Sequence, residues 1–308
     1  MLHWRNIMAK VNVVFDMSMY DMFLLCPYRF RNRFKLNLEA PTKNEALDKG
    51  TLVHIACEAY YESIKSGAKY EYAVNSALMK LKQAFVTESN LDNDEANRIL
   101  DTMEQYFDFW RVEDQRFEII GVEESFIYEL YEDNEVKFLL AGKIDLRIKD
   151  NKYESLPYDH KSFSRSGPVN NLSNQFKNYA IAAKSNFLTV NKIGLQKTLK
   201  PHEKFLRVPL SYNHLIFESW KKNVIANIFY YLQCEADNFW PTNETSCDKF
   251  NRRCEYYEVC ESSGEEAKLH KLNTNFVKVP AWDVSKVLRK SSEVLKELED
   301  VKATESLP

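Results

Sequence analysis

The sequence predicts an α/β fold. Three observations predict it. Ile144, Leu146 and Ile148 alternate with Lys143, Asp145 and Arg147, the two-residue period of a half-buried strand. Ala73, Ala77, Leu78, Leu81 and Phe85, then Ile99, Met103, Phe107 and Trp110, recur at helical spacing over 70–88 and 93–112. The 308 residues are 44% hydrophobic with only 7 Gly and 9 Pro, so a sizeable core is affordable in residues and long disordered linkers are not expected. One domain over 1–308 is the expectation, with a helical insertion at about 68–112.

Taken in order, Ser18 is a plausible N-cap for a helix through Tyr20, Phe23, Leu24 and Cys26, ending at Pro27. Arg29, Arg31 and Arg33 then interleave with Tyr28, Phe30 and Phe34. Such a pattern suits a single nucleic-acid strand, with phosphates on the arginines and bases on the rings. Tyr28, Arg29 and Arg31 are the candidate contacts. For Phe30 and Phe34 a place in the core is preferred. Residues 44–67 read as a helix carrying His54 and Glu58 on one face. Strands follow over Phe117–Tyr131 and Phe138–Ile148. Asp150-Asn151 supplies a turn, and Tyr158-Asp159-His160-Lys161 forms a further short strand. A helix over 172–184 places Gln175 and Tyr179 four residues apart, able to reach one cleft. Strands near Val190–Gln196 and Phe205–Val208, a long helix over Asn213–Ala236, and an amphipathic segment over 283–301 complete the chain.

Chemistry concentrates where the strands meet. If the two strands pair as a hairpin, Asp145 and Asp159 share an edge with Lys161 beside them. Two carboxylates and an ammonium suit a divalent metal and water attack on a phosphodiester. A surface hairpin with solvated charges is the alternative. The formal net charge is −3, so any nucleic-acid track has to be a local patch. No apolar run approaches membrane-spanning length and no signal peptide is read in residues 1–17, so no membrane partner is expected and the cytoplasm (the host's, for a phage protein) is the expected location. There the six cysteines are expected as ligands or reduced thiols. Cys247, Cys254 and Cys260 fall within fourteen residues, one ligand short of a tetrahedral set. The fourth could be Cys26, Cys57, Cys234 or His270. Cys57 and Cys234 read as packing residues, and Cys26 is chosen as a thiol at a helix end. A [4Fe–4S] cluster and Zn²⁺ both suit such thiolates; unpaired surface thiols are the remaining alternative. There is no GxxxxGK[ST] loop, so a fused nucleotide-driven motor is not expected.

Six motifs in one order resemble the PD-(D/E)XK nuclease superfamily, in its RecB/AddB-type branch with a cysteine-bound iron–sulfur cluster, similar to the CRISPR-associated adaptation nucleases. They are Ser18-x-Tyr20 with Cys26-Pro27-Tyr28-Arg29-Phe30, Gly50-Thr51-Leu52-Val53-His54, Gly142-Lys143-Ile144-Asp145, Asp159-His160-Lys161, Gln175-x-x-x-Tyr179, and Trp240-Pro241 with the three cysteines after it. The last departs from the branch: its usual C-x2-C-x5-C is here C-x6-C-x5-C, with Cys247 farther out.

The resemblance implies a restriction-endonuclease-like fold, a mixed central sheet flanked by helices, with a cysteine-cluster region at about 240–262. His54, Asp145, Asp159 and the His160 carbonyl would hold Mg²⁺ or Mn²⁺. Lys161 would activate or steady the water, and Gln175 and Tyr179 would orient Lys161 or the strand. Cys26, Cys247, Cys254 and Cys260 would carry a structural cluster. The implied activity is metal-dependent DNA hydrolysis, by an exonuclease on single-stranded ends, in recombination, repair or replication. Any helicase or recombination protein it works with would be a separate chain. The rival reading is a catalytically silent nucleic-acid-binding or scaffold protein on the same fold.

Overall fold

The structure is a computed structural model that describes residues 10–41, 45–89, 91–164, 167–249 and 252–288. It opens with β1 (Val11–Phe15), α1 (Met17–Leu25), α2 (Pro27–Phe30), a π-helical turn at Arg31–Lys35 and β2 (Leu38–Glu39). Three long helices follow, α3 (Glu45–Lys65), α4 (Tyr70–Glu88) and α5 (Asn93–Asp114). Then come β3 (Glu118–Glu132), β4 (Val136–Lys149), β5 (Leu156–Phe163), α6 (Asn174–Ala182), β6 (Phe187–Gly194), α7 (Pro201–Lys204) and β7 (Phe205–Ser211). The last stretch holds α8 (His214–Ala236), β8 (Asp248–Lys249), β9 (Arg252–Arg253), α9 (Tyr257–Glu261), α10 (Glu265–Asn275), β10 (Val277–Lys278) and α11 (Val284–Val287). The chain forms two compact units. The first is Met1–Lys43, Ile127–Gly142 and Glu218–Pro308; the second is Asn44–Phe126 and Lys143–Phe217.

In the second unit the sheet is mixed, as the family resemblance implied. The later half of β4 runs antiparallel to β5, pairing Leu146 with Tyr158 and Ile148 with Leu156. β5 is parallel to β6, with His160 opposite Asn191 and Lys161 opposite Lys192. β6 is antiparallel to β7. Parallel strands need a crossover, and α6 supplies it between β5 and β6. Helices cover both faces. Leu146, Ile148, Leu156, Ile193 and Phe205 pack with Leu52, Val53, Tyr60, Ile99, Met103 and Phe107 from α3 and α5. Leu188, Val190 and Leu210 pack with Phe176, Tyr179 and Ala180 of α6. Both clusters consist of buried side chains, each worth roughly 1.5–3 kcal/mol relative to exposure. This is the α/β architecture expected from the sequence.

The first unit is organised around aromatic rings. β1 runs parallel to the start of β4, from Val11–Val136 to Phe15–Leu140. Phe30 meets Phe15, Tyr231 and Trp240 at centroid distances of 5.8, 5.6 and 6.0 Å, which puts Phe30 in the core as preferred. Tyr256, Val259 and Leu272 form a second cluster with Tyr28, Leu36, Leu38, Cys254 and Phe276.

Several local expectations are corrected. The N-cap of α1 is Asp16, not Ser18: its Oδ1 accepts from the Met19 amide at 2.7 Å. A carboxylate also suits the positive end of the helix dipole. Pro27 does not simply break the chain; it starts α2 at a position where its missing N–H costs nothing. The alternation of β4 is not kept throughout. Ile144, Asp145 and Leu146 are all buried, and Ile144 packs with α6 while Leu146 and Ile148 pack with α3 and α5. Of the amphipathic segment over 283–301, α11 is described and most of the rest lies outside the described residues. Among the described residues, no helix is long and apolar enough to cross a membrane.

Candidate active site

His54 projects from α3, Asp145 from β4, and Asp159, His160 and Lys161 from β5, all within the second unit. His54 Nδ1 lies 3.7 Å from Asp145 Oδ1 and 3.7 Å from Glu123 Oε1. Ligand atoms of His54, Glu123 and Asp145 all fall within 4.8 Å of one another. Ligands about 2.1 Å from an octahedral Mg²⁺ stand ~3–4 Å apart, so an imidazole nitrogen and two carboxylates at these separations fit a divalent cation.

Glu123 is the site residue that sequence reading missed. It lies in β3 with φ +46°, a conformation uncommon outside glycine. Val122 and Glu123 are both buried, so the two-residue alternation slips there and turns a carboxylate inward. Its Oε2 pairs with Lys143 Nζ. A signal was available: Gly121 and the tandem Glu123-Glu124 fall among the apolar residues Ile119, Ile120 and Val122, ahead of the Phe126-Ile127-Tyr128 run.

The D-x-K strand divides its work between two faces. Asp145 Oδ2 accepts the main-chain N–H of His160 at 2.6 Å. This anchors the β4 carboxylate to the strand carrying the second one. Asp159 is fully buried, and Lys161 Nζ hydrogen-bonds its Oδ1 at 3.0 Å. The same ammonium is 3.0 Å from Asp159 Oδ2, yet without the alignment of a hydrogen bond, so that buried oxygen keeps unsatisfied lone pairs. An unsatisfied buried carboxylate oxygen is what a cation would complete. Lys161 Nζ also donates to Gln175 Oε1 at 3.0 Å, and Gln175 Nε2 donates to the Tyr179 hydroxyl at 2.9 Å. The expected pair on α6 therefore reaches the lysine.

The charges conform to this crowding. Burial disfavours the protonated imidazole of His54, but Asp145, Glu123 and Asp159 outweigh it and lift its pKa to about 9. Burial pushes Asp145 up to about 7, with Asp159 and Glu123 adding to the push and His54 opposing it. Burial also raises Asp159, against the pull of Lys161. Burial would raise Glu123, yet His54 and Lys143 hold it below the usual carboxylate range. His160 is held well below the usual imidazole value, by burial first and then by His54, Arg207 and Lys161. Asp145, Asp159 and Glu123 thus share the site with the cations of His54, Lys161 and Lys143, and burial is what chiefly keeps Asp145 and Asp159 raised.

The cysteines and the basic-aromatic stretch belong to the first unit. Cys254 Sγ is raised by burial and by Cys247, among others; Cys260 is pushed up to about 11 by burial, then by Cys254, Cys26 and Cys247. Cys247 is raised by burial and then by Cys26. Each of these thiolates thus resists the ionisation of its neighbours, and the four expected cysteines lie within electrostatic reach of one another. Among the described residues no three of these sulfurs come within 4.8 Å of one another, the closeness that a single zinc ion requires; a shared group would have to span a wider gap, as an iron–sulfur cluster does. Cys26 is buried at its helix end. Cys57 is in the core, as expected, and Cys234 is buried too. The Arg29 guanidinium is paired with Glu255 at 2.8 Å, and Tyr28 packs against the Tyr256 cluster.

The model of the PD-(D/E)XK nuclease superfamily matches residues 16–261. Among solved structures, the chain is similar to a candidate exonuclease from Eubacterium rectale, at 12% identity and a TM-score of 0.44, over 90% of this chain and 93% of that one. It is also similar to SSO0001, at 12% identity and a TM-score of 0.31, over 73% of this chain and 89% of that one. No curated protein matches.

Proposed function

Since this chain belongs to the PD-(D/E)XK nuclease superfamily, we propose that it is a Mg²⁺- or Mn²⁺-dependent deoxyribonuclease that trims single-stranded DNA ends. The observation that supports the cutting role most directly is the meeting of α3 with β4. His54 Nδ1 comes 3.7 Å from Asp145 Oδ1, with Asp159 and Lys161 on the next strand. His54, Glu123 and Asp145 would hold the cation, with Asp159 and the His160 carbonyl alongside. When bound, a divalent cation supplies Lewis-acid polarisation of a phosphoryl oxygen and a more acidic water.

The chain's own groups do the rest. Lys161 has a side chain 42% exposed, so its ammonium can meet a water or a developing phosphoryl charge while Asp159 and Gln175 aim it. Tyr179 keeps Gln175 turned toward the lysine. Aiming a fixed cation where charge develops is the largest lever available to such a site. The preference for single-stranded ends rests on the branch resemblance, and a motor that unwinds its substrate would be a separate chain. In the first unit, Cys26, Cys247, Cys254 and Cys260 would carry a structural [4Fe–4S] cluster; one zinc ion is the competing occupant.

End-labelled single- and double-stranded DNA and a circular single strand, incubated with Mg²⁺ or Mn²⁺, test the reading. Wild-type protein should shorten linear strands from an end and spare the circle. Asp145→Ala and Lys161→Ala should each lower the rate by about 10²-fold or more. Cleavage that survives both substitutions, or none on any substrate, would reject the nuclease reading. A cut circle would replace end trimming with internal cleavage.

A further inference from the structure

Behind the D-x-K strand runs a line of buried polar groups that the chemistry above does not use. Cross-strand register places His160, Asn191 and Arg207 side by side on β5, β6 and β7. Asn191 Nδ2 is 2.8 Å from His160 Nδ1 and donates to the Tyr106 hydroxyl at 2.7 Å. The Tyr106 and Tyr61 hydroxyls are 2.8 Å apart. Arg207 Nη2 then donates to Tyr61 at 3.2 Å and to Asp114 at 2.5 Å. His160 and Asn191 are essentially inaccessible, amid the apolar cluster of α3, α5 and the sheet.

Stability alone does not account for this line. Apolar side chains of similar volume often replace buried charged and polar networks without loss. Asn191 Oδ1 is moreover buried without a hydrogen-bond partner, a net cost to the fold. What the line does have at its end is His160, whose own main-chain N–H holds Asp145 Oδ2 at 2.6 Å. We propose that Asn191 is a positioning residue for the cation site: by fixing the His160 ring it fixes the peptide that orients the Asp145 carboxylate. The proposal rests on the reading of His54, Glu123 and Asp145 as a cation site.

The arrangement makes a distinction that a packing role does not. Asn191→Leu removes the anchor and fills the space. Asn191→Asp keeps an isosteric oxygen that can hold the His160 ring through the opposite tautomer, while burying a charge.

Mn²⁺ binding to the full chain, followed by electron paramagnetic resonance of the free ion, reads the difference alongside thermal unfolding of the metal-free proteins. Asn191→Leu should weaken Mn²⁺ binding by about tenfold or more with its unfolding midpoint kept or raised. Asn191→Asp should bind within about threefold of wild type although it unfolds earlier. DNA cleavage should follow, kcat falling in Asn191→Leu with KM for DNA unchanged. Asn191→Ser, which trims the site, gives the same readout if leucine prevents folding. Wild-type Mn²⁺ affinity in both Asn191→Leu and Asn191→Ser, or affinity that tracks the unfolding midpoint across the variants, overturns the positioning role alone. Wild-type protein that binds no Mn²⁺, or binds it unchanged in Asp145→Asn, overturns the cation site together with it.

Discussion

Asp145 and His54 are two groups whose surroundings oppose cation binding at low pH. A ligating imidazole has to be neutral and a ligating carboxyl ionised, so cation binding expels whatever protons they carry. With Asp145 at about 7 and His54 at about 9, both protons leave on binding below pH 7, and chiefly the His54 proton between 7 and 9. Mn²⁺ affinity should therefore rise by about one to two decades per pH unit up to 7, and about one decade per unit above it. Titration calorimetry at pH 6, 7 and 8 checks this, and an affinity flat across that range contradicts it. Stability of the metal-free chain runs the other way. A raised folded pKa means that the native state holds a proton the unfolded chain has released. Asp145 contributes stability that is present below the ordinary carboxyl value of 3.8 and lost as pH rises through about 7; for His54 the window runs from 6.5 to about 9. Glu123, lowered from 4.5, contributes stability lost only on the acid side. Mn²⁺ should accordingly raise the unfolding temperature more at pH 9 than at pH 6.

At the scale of elements, much was legible and the exceptions share one cause. The helices over 70–88 and 93–112 were read from apolar residues at helical spacing, and α4 and α5 lie there, α5 ending two residues later at Asp114. His54, Asp145, Asp159 and Lys161 stood out because their order resembles a known motif set. Glu123 did not, because its inward turn depends on a positive φ inside β3, and a period-two reading assumes every residue of a strand is extended. The same assumption put Ile144 on one face with Leu146. Both slips fall beside the His54, Glu123 and Asp145 group. Nor does spacing reveal the His160–Asn191 contact, which exists only through the β5–β6 register. The helix α6 gives a simple test. Tyr179 is buried and holds Gln175 by one hydrogen bond at 2.9 Å, and Gln175 in turn aims Lys161. Tyr179→Phe keeps the packing and removes that bond, worth ~1 kcal/mol. Cleavage should fall by about fivefold at unchanged Mn²⁺ affinity. A larger loss accompanied by weaker cation binding would mean that Tyr179 serves the metal site instead.

On the scale of the whole molecule, the first unit gathers chain segments distant in sequence. Cys26 sits between α1 and α2, whereas Cys247, Cys254 and Cys260 follow α8 more than two hundred residues later. Little regular structure holds the cysteine segment. β8 and β9 have two residues each, and the Cys254 amide donates to the Cys247 carbonyl at 2.7 Å. The Tyr256 cluster, the Arg29–Glu255 pair and the Asn243 side chain on the Leu25 carbonyl join these segments, and the proposed metal group would add a further closure. Closing so long a loop restricts the unfolded chain strongly, and ligation of this kind is part of folding itself. Losing a ligand should therefore cost stability broadly, in addition to any effect on cleavage. Cys254→Ser, purified without oxygen beside the wild type, is expected to lose its metal and visible colour, to unfold at least about 5 °C earlier, and to be recovered in lower soluble yield. Metal analysis of the wild type separates four irons from one zinc. Cys57→Ser, a core thiol of the second unit, is the control: it should keep the metal whatever it does to stability. Equal metal content and equal unfolding temperature in the wild type and Cys254→Ser would remove the cluster from the account and leave these thiols as ordinary side chains.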